Sequence, residues 1–132
     1  VVPTVRVTGN AAREGAARIG EALRKDPEIR VILGTGQADT EAAGLAIESG
    51  LAGPGCWAAG FDLSPETLRL IGAGHIRCTI DQQPYVQGFY PVVGLVHYLR
   101  YGIMPPSIDA GAAVIDAVSA ARVLDLTARK YR

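Results

Sequence analysis

Three times along this chain, a short apolar β-type run ends in a cluster of polar residues that leads into a helix start. The runs are Val31-Ile32-Leu33-Gly34 before Thr35-Gly36-Gln37-Ala38-Asp39, Trp57-Ala58-Ala59-Gly60-Phe61 before Asp62-Leu63-Ser64-Pro65, and Ile76-Arg77-Cys78-Thr79-Ile80 before Asp81-Gln82-Gln83-Pro84. Strands alternating with helices build a parallel sheet with crossover helices, so the fold class is α/β with a mainly parallel sheet. Parallel strands bring their carboxyl ends to one edge. Polar groups just past those ends line a common crevice, where open α/β sheets bind ligands. Amides and carboxylates in three loops on that edge predict a site for a neutral, polyhydroxylated ligand.

The rest of the chain fits around these units. Residues 4–8 alternate β-branched and other residues as a first strand, and Asn10 can cap a helix running to about Lys25. Ala16, Ile19, Ala22 and Leu23 form its apolar stripe, and Asp26-Pro27 stops it because a residue before proline avoids the α region. The second strand covers residues 30–34, and a small-residue helix over 39–49 ends at Gly50. A third strand over 56–61 is followed by Ser64 as N-cap and Pro65 as first helical residue, with the helix reaching about Ile71. The fourth strand is 76–80. Pro84 opens the longest helix, over 85–101, with Val92, Val93, Leu95, Val96 and Leu99 on its apolar side. After the turn-rich 102–106, residues 112–115 read as a short edge strand and 119–130 as a terminal amphipathic helix.

Composition narrows the function classes. At 132 residues the chain is one domain's worth. Thirteen basic and thirteen acidic residues cancel, so nothing draws a phosphate backbone or an anionic membrane, and nucleic acid is excluded as an expected partner. No charged segment followed by an apolar one opens these residues, and no apolar run is long enough to span a bilayer. Any signal or anchor would lie outside them. Cys56 and Cys78 make no C-x-x-C pair and read as small hydrophobes within buried strands.

The motifs point to binding rather than catalysis. Gly34-Thr35-Gly36 between a strand and a helix suggests a dinucleotide loop, but Asp39 stands where the third glycine belongs. Its carboxylate would repel a pyrophosphate at the helix N-terminus, so no cofactor is expected. Asp62 follows a strand directly, and Ser64 already serves as the cap, which leaves the Asp62 carboxylate to accept two ligand hydroxyls. In Asp81-Gln82-Gln83 three polar residues exceed what a cap needs. Gln82 is the first choice for ligand contact, since an amide both donates and accepts as a hydroxyl does. Gln37, with Thr35 and Gly36, reads equally as a ligand loop or as a solvated one. His75 and His97 stand at no metal-ligand spacing and read as structural, and no G-x-S-x-G or H-E-x-x-H occurs. The chain is not expected to be an enzyme or to hold a metal.

Taken together, Gly34-Thr35-Gly36-Gln37-Ala38-Asp39, Gly60-Phe61-Asp62-Leu63-Ser64-Pro65 and Thr79 through Gly88 resemble the carboxyl-terminal lobe of type I periplasmic sugar-binding proteins. These are solute receptors of ABC importers, of the ribose-receptor kind. The resemblance covers nearly the whole chain in element order. It implies a three-layer αβα sandwich, a simple sugar as ligand (pentose, hexose or related polyol), and an ABC permease as the partner of the parent protein. It also implies a periplasmic location or an extracellular lipoprotein. In the ribose-receptor group the Asp of G-F-D and the Gln of T-I-x-Q bind sugar hydroxyls, and these fall on Asp62 and Gln82. A further ligand residue, usually Asn or Asp, falls within Thr35-Gly36-Gln37. No Asn stands there, which opens the choice of sugar beyond ribose, and Asp81 completes the candidate set. Effector domains of LacI-type transcriptional regulators share the fold and are the alternative.

The resemblance further implies a partner for this lobe. Receptors of this kind close two lobes around the sugar, so residues 1–132 are expected to be a fragment lacking an amino-terminal lobe. The chain resembles a lobe entered at its second strand. The first strand, central in a 2-1-3-4-5 order, is then expected to be absent, with residues 4–8 and 30–34 flanking the gap, about two strand spacings apart. The two strands could shift together and pair directly, but a segment of a second chain inserted in the gap or an edge-to-edge dimer is expected.

Overall fold

The computed structural model describes residues 11–131. Five helices and four strands alternate: α1 (Ala12–Lys25), β1 (Val31–Leu33), α2 (Gln37–Glu48), β2 (Trp57–Phe61), α3 (Pro65–Gly72), β3 (Ile76–Asp81), α4 (Pro84–Tyr101), β4 (Ala113–Asp116) and α5 (Ala117–Ala128). The sheet runs β1-β2-β3-β4, with the first three strands parallel and β4 antiparallel to β3. The α/β class and the mainly parallel sheet are as expected. The anticipated strand over residues 4–8 and the Asn10 cap lie outside the described residues.

Two successive steps in the same direction along a parallel sheet place both crossover helices on one face. Accordingly α2 packs on β1, β2 and β3, α3 on β3, and α5 on β4. Helix α1 joins the layer through α2, and α3 bridges α2 to α5. The core lies between this layer and the sheet, where Ala42, Ala43, Ala46, Ala58, Leu70, Ile71 and Ile76 are buried. Small residues predominate in α2 because the helix sits close to the strands. A Cβ at Gly44 would lie 2.7 Å from Ile76. The sheet's other face carries Val31, Leu33, Phe61 and Val114, all exposed.

The second strand-to-helix junction follows the sequence closely. Ser64 caps α3, its Oγ accepting from Thr67 N at 2.9 Å, and Pro65 takes the first helical position. The same hydroxyl donates to Glu41 Oε1 on α2 at 2.5 Å, so the cap also ties two helices together. Ser64→Ala removes both bonds from a buried position and should cost about 1–2 kcal/mol. Urea unfolding checks this: the midpoint should fall with the slope unchanged. At the far end of the same helices Arg69 chelates Glu48 at 2.7 and 2.9 Å and reaches Glu66 at 2.8 Å. Those hydrogen bonds hold the Glu48 and Glu66 carboxyls below the ordinary carboxylate range.

Two expectations need correction. The apolar side anticipated for the long helix is not buried: α4 has no buried residue, and Val92, Leu95, Val96 and Leu99 are exposed. A helix buries an apolar stripe only where another element lies opposite, and α4 packs extensively on none of the described elements. Cys56 lies just before β2 rather than within it, and both cysteines are only partly buried. Burial still raises the Cys56 thiol. The remaining elements lie within about two residues of expectation, and the edge strand anticipated over 112–115 is the antiparallel β4.

Candidate functional site

The carboxyl ends of β1 and β2 are tied together by one threonine. Thr40, in the first turns of α2 and fully buried, accepts from Phe61 N at 3.0 Å and lies 2.8 Å from Gly36 O as donor. Its hydroxyl replaces a strand partner for the β2 backbone just where the chain turns away. Two glycines make room for it. A Cβ at Gly34 would lie 2.5 Å from Thr40 N, and one at Gly60 would lie 2.0 Å from Thr40 Oγ1. Sequence reasoning missed Thr40. The available signal is a glycine ending each of two neighbouring strands, with a hydroxyl residue in the helix between them.

Beyond this lock the second and third loops meet. Asp62 continues the pairing of β2, its N donating to Ile80 O at 2.8 Å, while Thr79 Oγ1 donates to Asp62 O at 2.8 Å. With its main chain held on both sides, Asp62 turns into the left-handed region at φ 69°, where Asp is among the few tolerated residues. Its Oδ1 accepts from Gln82 Nε2 at 3.0 Å. The carboxylate and amide chosen from sequence therefore form one hydrogen-bonded pair at the crevice. The first loop approaches through Gly36, where a Cβ would lie 4.0 Å from Asp62 Oδ2.

The other candidates have different partners. Thr35 Oγ1 donates to Asp39 Oδ2 at 2.7 Å, and Gln37 Nε2 donates to Glu41 Oε1 at 3.2 Å. Both side chains are thus engaged with residues in the first turns of α2 rather than with the Asp62–Gln82 pair. Asp81 is buried, at 1% exposure, and its Oδ1 accepts from Gln83 N at 2.9 Å. It shapes the loop that presents Gln82. Among the described residues, no group of His, Cys, Asp and Glu could hold a metal ion, and no helix is long and apolar enough to cross a membrane.

The pair can accept and donate at once. Each Asp62 oxygen has lone pairs left for hydroxyl donors, and Gln82 Oε1 remains an acceptor. Such a set suits vicinal hydroxyl groups and provides neither a nucleophile with a base nor a redox centre.

Residues 1–102 match the family model described as periplasmic binding protein domain. The chain is 30% identical over 118 residues to the xylose/arabinose-binding protein XylF of Sulfolobus acidocaldarius, covering 84% of this chain and 29% of that protein. A carbohydrate transporter from Acidothermus cellulolyticus, solved with myo-inositol, superposes with a TM-score of 0.78 at 25% identity, over 92% of this chain and 43% of its own. A solute-binding protein from Agrobacterium vitis, solved with α-D-tagatopyranose, shares the fold with a TM-score of 0.78 at 19% identity, over 98% and 43%. The chain thus spans less than half the length of each of these relatives. On the extent of the family match, this chain belongs to the periplasmic binding protein domain family.

Proposed function

We propose that residues 1–132 are the carboxyl-terminal lobe of a solute receptor that binds a simple sugar between two lobes for delivery to an ABC permease. The ligand class is a pentose, a hexose or a related polyol. The observation that carries this reading is the Asp62–Gln82 pair, 3.0 Å apart at the carboxyl ends of adjacent parallel strands. Asp62 and Gln82 are the principal sugar contacts, Gly36 leaves the first loop open beside them, and Thr35, Gln37 and Asp81 set the surroundings. The relatives' names and bound ligands support the class: a receptor named for xylose and arabinose, and structures holding myo-inositol and a ketohexose. The role is binding without catalysis, on the outer side of the cytoplasmic membrane.

Calorimetric titration with xylose, arabinose, galactose and myo-inositol tests this on the two-lobed protein and on residues 1–132 alone. The two-lobed protein should bind at least one of them at micromolar Kd, roughly −8 kcal/mol. One lobe supplies about half the contacts and leaves the other side of the sugar to water, so the lobe alone should bind no better than millimolar, roughly −4 kcal/mol. Micromolar binding by the isolated lobe would contradict the two-lobe reading.

A further inference from the structure

The loop that presents Gln82 is bent between two side-chain anchors. Gln83 adopts a left-handed backbone at φ 52°, a conformation a glutamine does not take without outside support. Upstream, the buried Asp81 carboxylate accepts the Gln83 amide. Downstream, Gln87 reaches back across the first turn of α4 and its Nε2 donates to Gln82 O at 2.5 Å. Helix α4 otherwise starts without a side-chain cap. The Gln87 bond is thus the one described link from the body of α4 to the residue whose amide meets Asp62.

We infer that Gln87 is a positioning residue for the sugar site: by fixing the Gln82 carbonyl, it aims the Gln82 amide at Asp62 and at the ligand. This rests on the reading of Asp62 and Gln82 as sugar contacts and goes beyond it, since the Gln87 side chain bonds the Gln82 carbonyl and not the Asp62–Gln82 side-chain pair. Without the bond, rotation of the Gln82 backbone would swing its side chain off Asp62 Oδ1, and the loop would have to be ordered anew with each ligand. Preorganisation of this kind appears as affinity rather than as fold stability.

The test is a set of titrations and unfolding curves on the two-lobed protein with the sugar it binds best. Gln87→Ala should weaken binding about 3- to 10-fold, the equivalent of one net hydrogen bond, with the urea midpoint unmoved. Gln87→Glu sets a carboxylate against the Gln82 carbonyl and should weaken binding at least as much, even though an acidic residue near the start of α4 favours the helix. Gln87→Lys keeps an N–H donor and should restore affinity to within about twofold. In a Gln82→Ala background, Gln87→Ala should cost nothing further, because nothing remains to be aimed. If Gln82→Ala weakens binding while Gln87→Ala does not, or if the two losses simply add, the inference fails and the site reading stands. If Gln82→Ala leaves affinity unchanged, the inference fails, and if Asp62→Ala does so as well, the site reading fails with it.

Discussion

Asp62→Ala in the two-lobed receptor is expected to weaken sugar binding by about 2–5 kcal/mol, the range for removing one partner of a buried, hydrogen-bonded charge. Gln82→Ala should lose about 1–3 kcal/mol, because the group is neutral. The two side chains share a 3.0 Å hydrogen bond, so the double variant should lose less than the sum. Asp62→Ala carries a confounding term. Alanine at φ 69° pays a backbone penalty of about 1–2 kcal/mol that has nothing to do with sugar. Asp62→Gly is free of that penalty and should bind as poorly as the alanine variant while remaining better folded. Asp62→Asn keeps the shape and the acceptor for Gln82 but loses the charge, and should fall between wild type and Ala. Calorimetric titration ranks the series, and wild-type affinity for both Asp62→Ala and Gln82→Ala would remove the site from this crevice.

The largest stability losses should come from two glycines, not from the exposed apolar residues. Gly34→Ala drives a methyl group to 2.5 Å from the Thr40 backbone nitrogen, and Gly60→Ala drives one to 2.0 Å from Thr40 Oγ1. Each should cost about 3 kcal/mol, the upper end of what overpacking does. The two differ in kind. At Gly60 the nearest obstacle is a side-chain oxygen, so Thr40→Ala should recover part of the loss. At Gly34 the nearest obstacles are main-chain atoms, Thr40 N at 2.5 Å and Cα at 2.7 Å, with Oγ1 also at 2.7 Å, so the same second change should recover less. Gly72→Ala, with open space around it at the end of α3, is the control and should raise stability by up to about 1 kcal/mol. Urea midpoints for the five variants decide the order, and Gly60→Ala at wild-type stability would refute the Thr40 lock.

These variants also mark what could be read without coordinates. Strand, polar cluster and helix start follow one another in sequence, so β1 to β3 and the helices after them were legible from local chemistry alone. Ser64-Pro65 was legible for the same reason, since a cap acts within four residues. Asp62 was recognisable as a spare carboxylate because its neighbour already filled the capping role. Thr40 was not, because a threonine inside a helix is unremarkable until Gly34 and Gly60, six and twenty residues away, are seen to close on it. The direction of β4 was equally hidden: four residues over 113–116 have no periodicity that separates parallel from antiparallel pairing. The apolar side of α4 misled in the opposite sense. Its pattern states that something should lie against it, while the partner is a matter of tertiary structure. The engagement of Gln37 with Glu41 and of Thr35 with Asp39 depends on rotamers, which spacing does not determine.

If the proposed sugar site is right, the turn of the chain at Asp62 bears on how the ligand could change over time. Its main chain is fixed on both sides, by Ile80 O and by the Thr79 hydroxyl, so mutation can vary the side chain but not the conformation it hangs from. Few residues occupy that conformation at low cost, chiefly glycine, asparagine and aspartate. Selection at this position therefore draws on a three-letter alphabet: two acceptor oxygens, one acceptor with one donor group, or nothing. New specificities among polyols have to be written mostly at the neighbouring positions, such as Gly36 and Gln82, where the backbone leaves more of the alphabet open.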